Sequence, residues 1–201
     1  GPTVPDRSTF TDCMEIVDKY DLGEKLPSSV VAYLKNGVQG KEPETPVELG
    51  YDTIILSSCI EGETRDVAKV HAAIAREIQK SGNPVSIPGC VISGGETTVT
   101  IHGDGLGGRN MEFVLAAAME IDGLGGITLL SGGTDGTDGP TDSAGAIADG
   151  STVRTARGRG LNPAGYLRNN DSYHFFEATG DLLMTGPTMT NVMDLRIVLV
   201  T

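Results

Sequence analysis

The chain has 201 residues, enough for one sizeable domain or two small ones, and it carries a formal net charge of −12 at pH 7. This acidic excess argues against a nucleic-acid-binding surface and favours solubility. No signal peptide is recognisable and no apolar run is long enough to cross a membrane, so we expect no membrane partner and a cytoplasmic location. The three cysteines, Cys13, Cys59 and Cys90, are scattered, which is typical of reduced thiols.

The first part of the chain predicts two helices, a linker, a strand and a long helix. Residues 9–20 place acidic residues in a first turn and apolar residues at helical spacing, and residues 27–34 predict a second short helix. Residues 37–46 are polar with Gly and Pro, which indicates a linker. A buried strand is predicted at 53–56, followed by a helix over 63–80 that ends near a Gly-Asn pair.

The middle of the chain predicts a hairpin that leads into a glycine-rich loop and a helix. Two β-branched segments, residues 90–93 and 97–101, flank a Gly-Gly turn and therefore predict paired strands. The loop over residues 103–110 leads into an apolar helix over 111–121. The unpaired N–H groups at the start of such a helix attract an anion, so this junction predicts an anion site.

Arg109 lies at that junction, where a cation costs about 0.3–1 kcal/mol against the helix dipole unless an anion neutralises it. A guanidinium group binds carboxylate or phosphate in bidentate fashion, which fits an anion site. The alternative is an exposed arginine paired with Glu112 or with a loop aspartate.

A second loop, residues 131–142, combines carboxylates, hydroxyl groups and glycines directly after an apolar run at 126–130. The apolar run predicts a short buried strand, and open α/β sheets bind ligands at strand ends. Asp135, Asp138 and Asp142 can hold a divalent cation through oxygen ligands. The alternative is a turn-rich surface loop, because the same residue types are common in turns.

The last part of the chain predicts short elements around a third loop. A strand at 144–148 precedes a helix over 151–159, and residues 162–176 predict two helical pieces, the second capped by Asp171 and Ser172. Residues 182–185 and 195–200 predict closing strands on either side of a loop over 186–194. The whole pattern indicates an α/β fold with a mixed sheet and flanking helices.

Five motifs in one order carry a family resemblance. They are SGGETTVT at 93–100, GGRN at 107–110, GGTDGTDGPTD at 132–142, NNDS at 169–172 and TGPTMTNVMD at 185–194. Together they resemble the carboxy-terminal (MOFRL) domain of a class of glycerate 2-kinases that is also named hydroxypyruvate reductase. Upstream, GPTVPD at 1–6 and GETRDVA at 62–68 are similar to the last portion of the amino-terminal domain of those kinases.

The resemblance implies transfer of the γ-phosphoryl group of ATP to the 2-hydroxyl group of D-glycerate, with Mg²⁺, in a cleft between two α/β domains. It divides the chain into residues 1–84, a partial tail of the amino-terminal domain, and residues 85–201, the MOFRL-like domain. Family members are longer, and the resemblance implies that a segment with a helix is missing near 46–47. We therefore expect exposed apolar surface and an inactive isolated chain. Whether the protein forms a homodimer stays open.

The resemblance and the residue chemistry together imply the roles of the site residues. Arg109 binds the glycerate carboxylate or the transferred phosphoryl group, and Asp194 accepts the proton of the 2-hydroxyl group or only braces its own loop. Asp135 and Asp138 bind Mg²⁺ directly or through water. The substrate is expected to contact Asn110, Asn191, Thr134, Thr137, Gly107 and Gly108.

Three points stay open at this level. A hydride-transferring hydroxypyruvate reductase is a second hypothesis, although the chain lacks a strand-anchored dinucleotide fingerprint. A non-catalytic anion-binding remnant is a third. Met189 and Met193 stand where relatives often have Gly and Asn, and a methionine at 189 is strained if that loop needs a positive φ.

Overall fold

The computed structural model describes residues 9–41 and 50–201, and it divides the chain into two compact units, residues 1–51 and 52–201. In the first unit α1 spans Phe10–Lys19 and α2 spans Ser28–Val38, so both predicted helices are confirmed and the second is longer than expected. The linker prediction falls partly on α2 and partly outside the described residues. The division at residue 84 stays a prediction.

A capping box and one glycine explain the first unit. The Thr9 hydroxyl accepts from the Asp12 N–H at 3.1 Å, and the Asp12 carboxylate accepts from the Thr9 N–H at 2.7 Å, which satisfies two backbone donors at the start of α1. The Phe10 ring lies against Gly37 of α2, where an added Cβ would be 2.1 Å from the ring. The two helices therefore pack through an aromatic ring on a residue without a side chain.

The second unit, residues 52–201, is described throughout and contains both strands and helices. Its elements are β1 Asp52–Ile60, α3 Thr64–Ser81, β2 Gly89–Gly95, α4 Arg109–Glu120, β3 Ile127–Gly133, β4 Gly145–Asp149, α5 Thr152–Gly158, α6 Pro163–Arg168, α7 Ser172–Thr179, β5 Leu182–Leu183 and β6 Asp194–Val200.

The six strands form one sheet in the order β1-β2-β6-β3-β4-β5, which confirms the predicted mixed sheet. β1 and β2 are parallel, whereas β6 is antiparallel to both β2 and β3. The last strand of the chain therefore lies in the middle of the sheet. Its first residue, Asp194, is in register with Gly95 at the end of β2 and with Gly133 at the end of β3.

The predicted hairpin over 90–101 is wrong. Its first half is β2, but β2 pairs with β1 and β6, and residues 97–101 make only an isolated bridge to Glu63 through Thr98. Backbone hydrogen bonds of 2.9 Å join Thr98 to Gly62 and to Thr64 at the start of α3. The β-branched alternation was a local signal, and β6, far along the chain, provides the antiparallel partner instead.

Helix α4 forms the centre of the hydrophobic core. Every residue from Asn110 to Ala118 is buried, because α4 packs on β3 and β4, on α3, and on the group α5 to α7. Fully buried Phe113 alone contributes about 1.5–3 kcal/mol of apolar burial. No helix within residues 9–41 and 50–201 combines the length and the apolar character that a membrane span requires.

The opposite face of the sheet carries a row of partly exposed aliphatic side chains. These side chains lie opposite one another on adjacent strands, in the order Ile55, Ile92, Ile197, Leu130 and Ile147. Ile147 is 38% exposed and the other four are of intermediate exposure. The sheet therefore has one covered face and one apolar face that is partly open.

His71 of α3 is buried against β2. Its Nδ1 contacts the Val67 carbonyl oxygen at 2.8 Å, so Nδ1 carries the proton, and Nε2 accepts from the Ser93 hydroxyl at 2.8 Å. The ring also meets Phe113 edge to face, with centroids 5.1 Å apart. Burial lowers the pKa of His71 below its ordinary value, and the bond to Val67 only partly opposes this shift.

The lowered pKa of His71 predicts an acid-sensitive contribution to stability. The unfolded chain takes up this proton near pH 6.5 while the folded chain resists it, so the contribution is complete above that pH and falls by up to about 1.4 kcal/mol per unit as the pH decreases. We expect His71→Gln to lose less stability than the parent between pH 7 and pH 5 in urea unfolding. Parallel losses in the two proteins would contradict this assignment.

Candidate active site

A cleft of about 690 Å³ opens where β2 ends beside the start of α4. Its lining contains the guanidinium group of Arg109, three glutamates, Glu61, Glu96 and Glu112, and the backbone of the glycine-rich loop. The cleft is thus acidic around a single lining arginine. Arg109 is the first residue of α4, as its predicted place at the loop-to-helix junction requires.

Arg109 is held by a buried carboxylate on one side and by an exposed carboxylate on the other. Its Nε and Nη2 donate to the two carboxylate oxygens of Asp194 at 2.7 and 3.0 Å, and its Nη1 lies 3.2 Å from Glu96 Oε1. These hydrogen bonds to Asp194 are the main cause that raises the pKa of Arg109. The predicted alternative of an arginine paired with a loop aspartate is therefore present, because Asp194 ends the predicted loop over residues 186–194. Glu96 is a second partner, and the ion pair of Glu112 is with Arg65 instead.

Asp194 is the carboxylate that holds this arginine in place. Its side chain has no exposed surface, and besides Arg109 it accepts from Asn110 Nδ2 at 3.0 Å and Arg196 Nη2 at 3.2 Å. Four donor contacts use the acceptor capacity of a carboxylate. Glycines flank Asp194 on both neighbouring strands, so no side chain lies directly beside it in the sheet.

Arg196 is a site residue that the sequence analysis missed. It is fully buried on β6, donates to Asp194 and to the Thr97 hydroxyl at 3.0 Å, and lies 5.4 Å from the centre of the Phe113 ring. Burial lowers the pKa of Arg196 and Asp194 opposes this shift, but a guanidinium group stays charged. The available signal was the period of two along β6, which places Arg196 on the same face as Asp194 and Val198.

Asp138 caps the start of α4. One carboxylate oxygen accepts from the Asn110 N–H at 3.0 Å, and the other accepts from the Met111 N–H at 2.8 Å. Burial raises the pKa of Asp138 to about 6, while these hydrogen bonds oppose the increase. The predicted anion site at the helix start is therefore filled by the protein's own carboxylate. An added Cβ at Gly108 would be 2.3 Å from Asp138 Oδ1, so only glycine fits there.

Asn110 bridges the two buried carboxylates. Its Nδ2 donates to Asp194 and, at 3.3 Å, to Asp138, and its Oδ1 accepts from the Ser131 hydroxyl at 2.6 Å. The whole residue is buried. Asn110 therefore joins α4 to β3 and β6 behind the arginine, and its side chain has its polar atoms engaged within the protein.

The glycines of the loop before α4 permit close packing on residues 169–172. An added Cβ at Gly103 would be 2.4 Å from Asn169 Oδ1, and one at Gly107 would be 2.3 Å from Ser172 Oγ. Asp171 does not cap α7 as predicted: its side chain accepts from the Leu106 N–H at 2.9 Å. The loop was predicted from its glycines, but the segment that receives it could not be identified from spacing.

Asn170 fixes the same loop through its whole amide group. Its Oδ1 accepts from the N–H groups of His102 and Gly103 at 2.7 and 3.1 Å, and its Nδ2 donates to the Thr100 carbonyl at 3.3 Å and to Glu112 Oε2 at 2.9 Å. The residue has a φ of 53°, which asparagine tolerates better than most side chains. This wall of the cleft is therefore built by tertiary hydrogen bonds.

The remaining predicted site residues lie together on two loops, the one that follows β3 and the one that precedes β6, which we call the crossing loops. Thr134 accepts from the Val192 N–H at 2.8 Å and donates to the Met193 carbonyl at 2.7 Å. Asp135 accepts from the Thr137 N–H at 3.0 Å and, through its other oxygen, from Asn191 Nδ2 at 3.4 Å. The structure thus brings Thr134, Asp135, Thr137 and Asn191 to one group, next to the residues where β3 ends and β6 begins.

Met189 and Met193 both have a positive φ, 59° and 69°. A left-handed backbone costs most residues about 1–2 kcal/mol, so the strain expected for Met189 is present and extends to Met193. The Met193 carbonyl and the Asn191 side chain tie this loop to Thr134 and Asp135. The loop keeps its shape through these hydrogen bonds although methionine is poorly suited to it.

Within residues 9–41 and 50–201, no group of three or more histidine, cysteine, aspartate or glutamate side chains is placed to hold a metal ion. Asp138 directs both oxygens to the start of α4, whereas Asp135 is only partly buried. Of the two aspartates predicted for Mg²⁺, Asp135 is the one whose surroundings fit a cation that keeps several waters.

Comparison with known families and structures places these residues in context. The model of the MOFRL family matches residues 89–194, and the model of a domain of unknown function (DUF4147) matches residues 1–35. The D-glycerate 2-kinase of Thermotoga maritima is 40% identical over an alignment that covers 100% of this chain and 52% of the relative. A putative hydroxypyruvate reductase of Agrobacterium vitis is also 40% identical, with 100% and 57% coverage.

A solved structure shows the same relationship as the sequence comparison. The crystal structure of glycerate kinase from Thermotoga maritima superposes with a TM-score of 0.77 at 38% identity, and covers 100% of this chain and 52% of that chain. The chain spans about half the length of the curated relatives it matches.

Asp138→Asn should lower the free energy of unfolding by about 1–3 kcal/mol, because the amide NH₂ would face a backbone N–H of α4 and leave a buried donor unpaired. Asp142→Asn is the matched control, since Asp142 is exposed and bonds only the Tyr173 hydroxyl among the side chains described. The control should stay within about 0.5 kcal/mol of the parent. Equal stabilities of the two variants in urea unfolding would refute the capping role of Asp138.

Proposed function

The chain belongs to the MOFRL family, and on that premise we propose that it is the carboxy-terminal part of a glycerate 2-kinase. The proposed reaction transfers the γ-phosphoryl group of ATP to the 2-hydroxyl group of D-glycerate. The observation that carries the proposal is Arg109, a partly exposed guanidinium group held at the edge of a cleft by a buried carboxylate. Relatives named for this activity support it.

Arg109 suits a reaction in which negative charge must be bound and neutralised. Phosphoryl transfer depends mainly on positioning and on charge stabilisation by fixed cations. Asp194 fixes two nitrogens of the guanidinium group, so Arg109 keeps its orientation when a ligand takes the place of the exposed Glu96 carboxylate at Nη1. We assign Arg109 the binding of the glycerate carboxylate or the transferred phosphoryl group.

Asp194 then acts as a positioning residue. Its four contacts leave no lone pair directed at a substrate hydroxyl group, so the alternative of a brace fits better than that of a proton acceptor. Asn110 and Asp138 have the same supporting character, because their polar atoms bind α4, β3 and β6. The backbone of Gly107 and Gly108 lines the cleft and remains open to substrate.

The crossing loops supply the polar groups for the rest of the ligand. Asn191, Thr134 and Thr137 surround Asp135 and are proposed to orient the phosphate end of the substrate or nucleotide. Asp135 would hold Mg²⁺ through water, and the ion would neutralise charge on the phosphates when bound. Asp138 does not fit a metal ligand, since both of its oxygens bind the start of α4.

A hydride-transferring reductase fits the site less well. Dinucleotide-binding folds place a pyrophosphate on the free N–H groups at the start of a helix, next to a glycine-rich turn. Here Asp138 accepts from those N–H groups, and Gly103 and Gly107 pack on residues 169–172. The same glycine-rich sequence is therefore used for packing, which favours the kinase over the reductase.

Replacing Arg109 tests the proposal in the full-length kinase that contains this chain. We expect Arg109→Ala to lose about 2–4 kcal/mol of transition-state stabilisation, the range for one preorganised charge-stabilising donor. Arg157→Ala is the matched control, because Arg157 is exposed and pairs with Asp122 away from the cleft. The readout is kcat/KM for ATP-dependent phosphorylation of D-glycerate. A kcat/KM of Arg109→Ala within about threefold of the parent, under 1 kcal/mol, would remove Arg109 from the mechanism.

The isolated 201-residue chain should not turn over Mg-ATP and D-glycerate. Well-oriented reactants can supply about 7–11 kcal/mol of the barrier. The chain spans about half the length of its curated relatives, and we propose that groups in the other half are also needed to orient both substrates. A coupled assay of ADP release on the purified chain measures this. Turnover of about 1–100 per second, ordinary for kinases, would show that the chain holds all the catalytic groups.

A further inference from the structure

The two partners of Arg109 differ in how easily they can be replaced. Asp194 has no exposed side-chain surface and binds two nitrogens of the guanidinium group, whereas Glu96 is 55% exposed and contacts only Nη1, at 3.2 Å. Exposed ion pairs are weak because water solvates both charges, but a buried bidentate pair resists exchange. A ligand that reaches Arg109 from the cleft therefore meets Glu96 at the one edge that can exchange.

The backbone holds Glu96 beside this edge. Gly95 before it has a φ of 128°, and an added Cβ there would be 2.3 Å from the backbone N and O of Ile60, so β2 ends at a residue that must be glycine. Thr97 after it is buried, accepts from Arg196 at 3.0 Å and from the Thr64 hydroxyl at 2.7 Å. Glu96 is thus anchored between two fixed residues while its own side chain stays largely exposed.

Of the carboxylates near Arg109, Glu96 is the one that a ligand anion can replace. Asp194 faces both Arg109 and Arg196, and Glu112 is neutralised by Arg65 at 2.8 Å. Glu96 provides the second carboxylate at Arg109, in the position that a ligand carboxylate or phosphate oxygen would take.

We infer that Glu96 is an intramolecular competitor for the anion-binding edge of Arg109, which its carboxylate occupies until a carboxylate or phosphate ligand displaces it. The inference rests on the proposed anion-binding role of Arg109. It gives Glu96 a role in specificity, because a ligand anion must bind Arg109 more strongly than the tethered Glu96 carboxylate does. Dianionic phosphate groups meet this requirement better than a neutral hydroxyl or amide group does.

The test is a titration of the 201-residue chain with inorganic phosphate and, separately, with D-glycerate, followed by ¹H–¹⁵N NMR at low ionic strength. Glu96→Gln keeps the shape of the side chain and removes its charge. We expect this variant to bind phosphate about two- to fivefold more tightly than the parent, the range that corresponds to loss of an exposed ion pair.

Glu61→Gln is the matched control. Glu61 lines the same cleft and, within the residues described, forms no ion pair with Arg109, so its loss tests the general effect of removing one negative charge. The control should tighten binding by less than about 1.5-fold, since charges separated by water interact weakly. In an Arg109→Gln background the effect of Glu96→Gln should disappear.

Equal effects of Glu96→Gln and Glu61→Gln would overturn the inference, as would unchanged or weaker phosphate binding by Glu96→Gln. Absence of phosphate and glycerate binding in both proteins would overturn it too. These outcomes can be distinguished from a failure of the kinase proposal. A full-length enzyme without glycerate phosphorylation, together with tighter phosphate binding by Glu96→Gln, would reject the kinase and keep the competitor.

Discussion

The buried ion pair between Asp194 and two arginines is the constraint on which the site depends. A carboxylate without solvent exposure is stable only when charge and hydrogen bonds compensate its lost hydration, and here Arg109, Arg196 and Asn110 supply both. Because Asp194 begins the central strand β6, the same interaction ties the middle of the sheet to the start of α4. Removing Asp194 would leave the buried guanidinium group of Arg196 without its counter-ion.

The cleft is organised by groups that do not themselves face a ligand. Asp138 caps α4 and thereby sets where Arg109 lies. Asn170 makes three hydrogen bonds to residues 100–103 and a fourth to Glu112 of α4. The glycines nearby leave room for these contacts. Tertiary partners thus satisfy backbone groups of these loops rich in glycine and aspartate.

Local patterns predicted most helices and strands and also the position of Arg109. The helix over α4, the long α3 and the strand β6 follow from apolar periodicity, and the aspartate and asparagine motifs were recognised as candidates for the site. The hairpin failed because alternation of β-branched residues shows that a segment is extended but does not show its partner. The capping by Asp171 failed because its carboxylate binds Leu106, which is distant in sequence.

The sequence by itself determined the fold class, the family and the residue types available for anion binding, because these depend on local periodicity and on ordered motifs. Only the tertiary structure decided that β6 lies between β2 and β3, and hence that Asp194 meets Arg109 and Arg196 meets Thr97. Likewise, Asp138 is a helix cap because the second loop crosses the start of α4. Such pairings depend on which distant segments become neighbours, and spacing along the chain does not encode that directly.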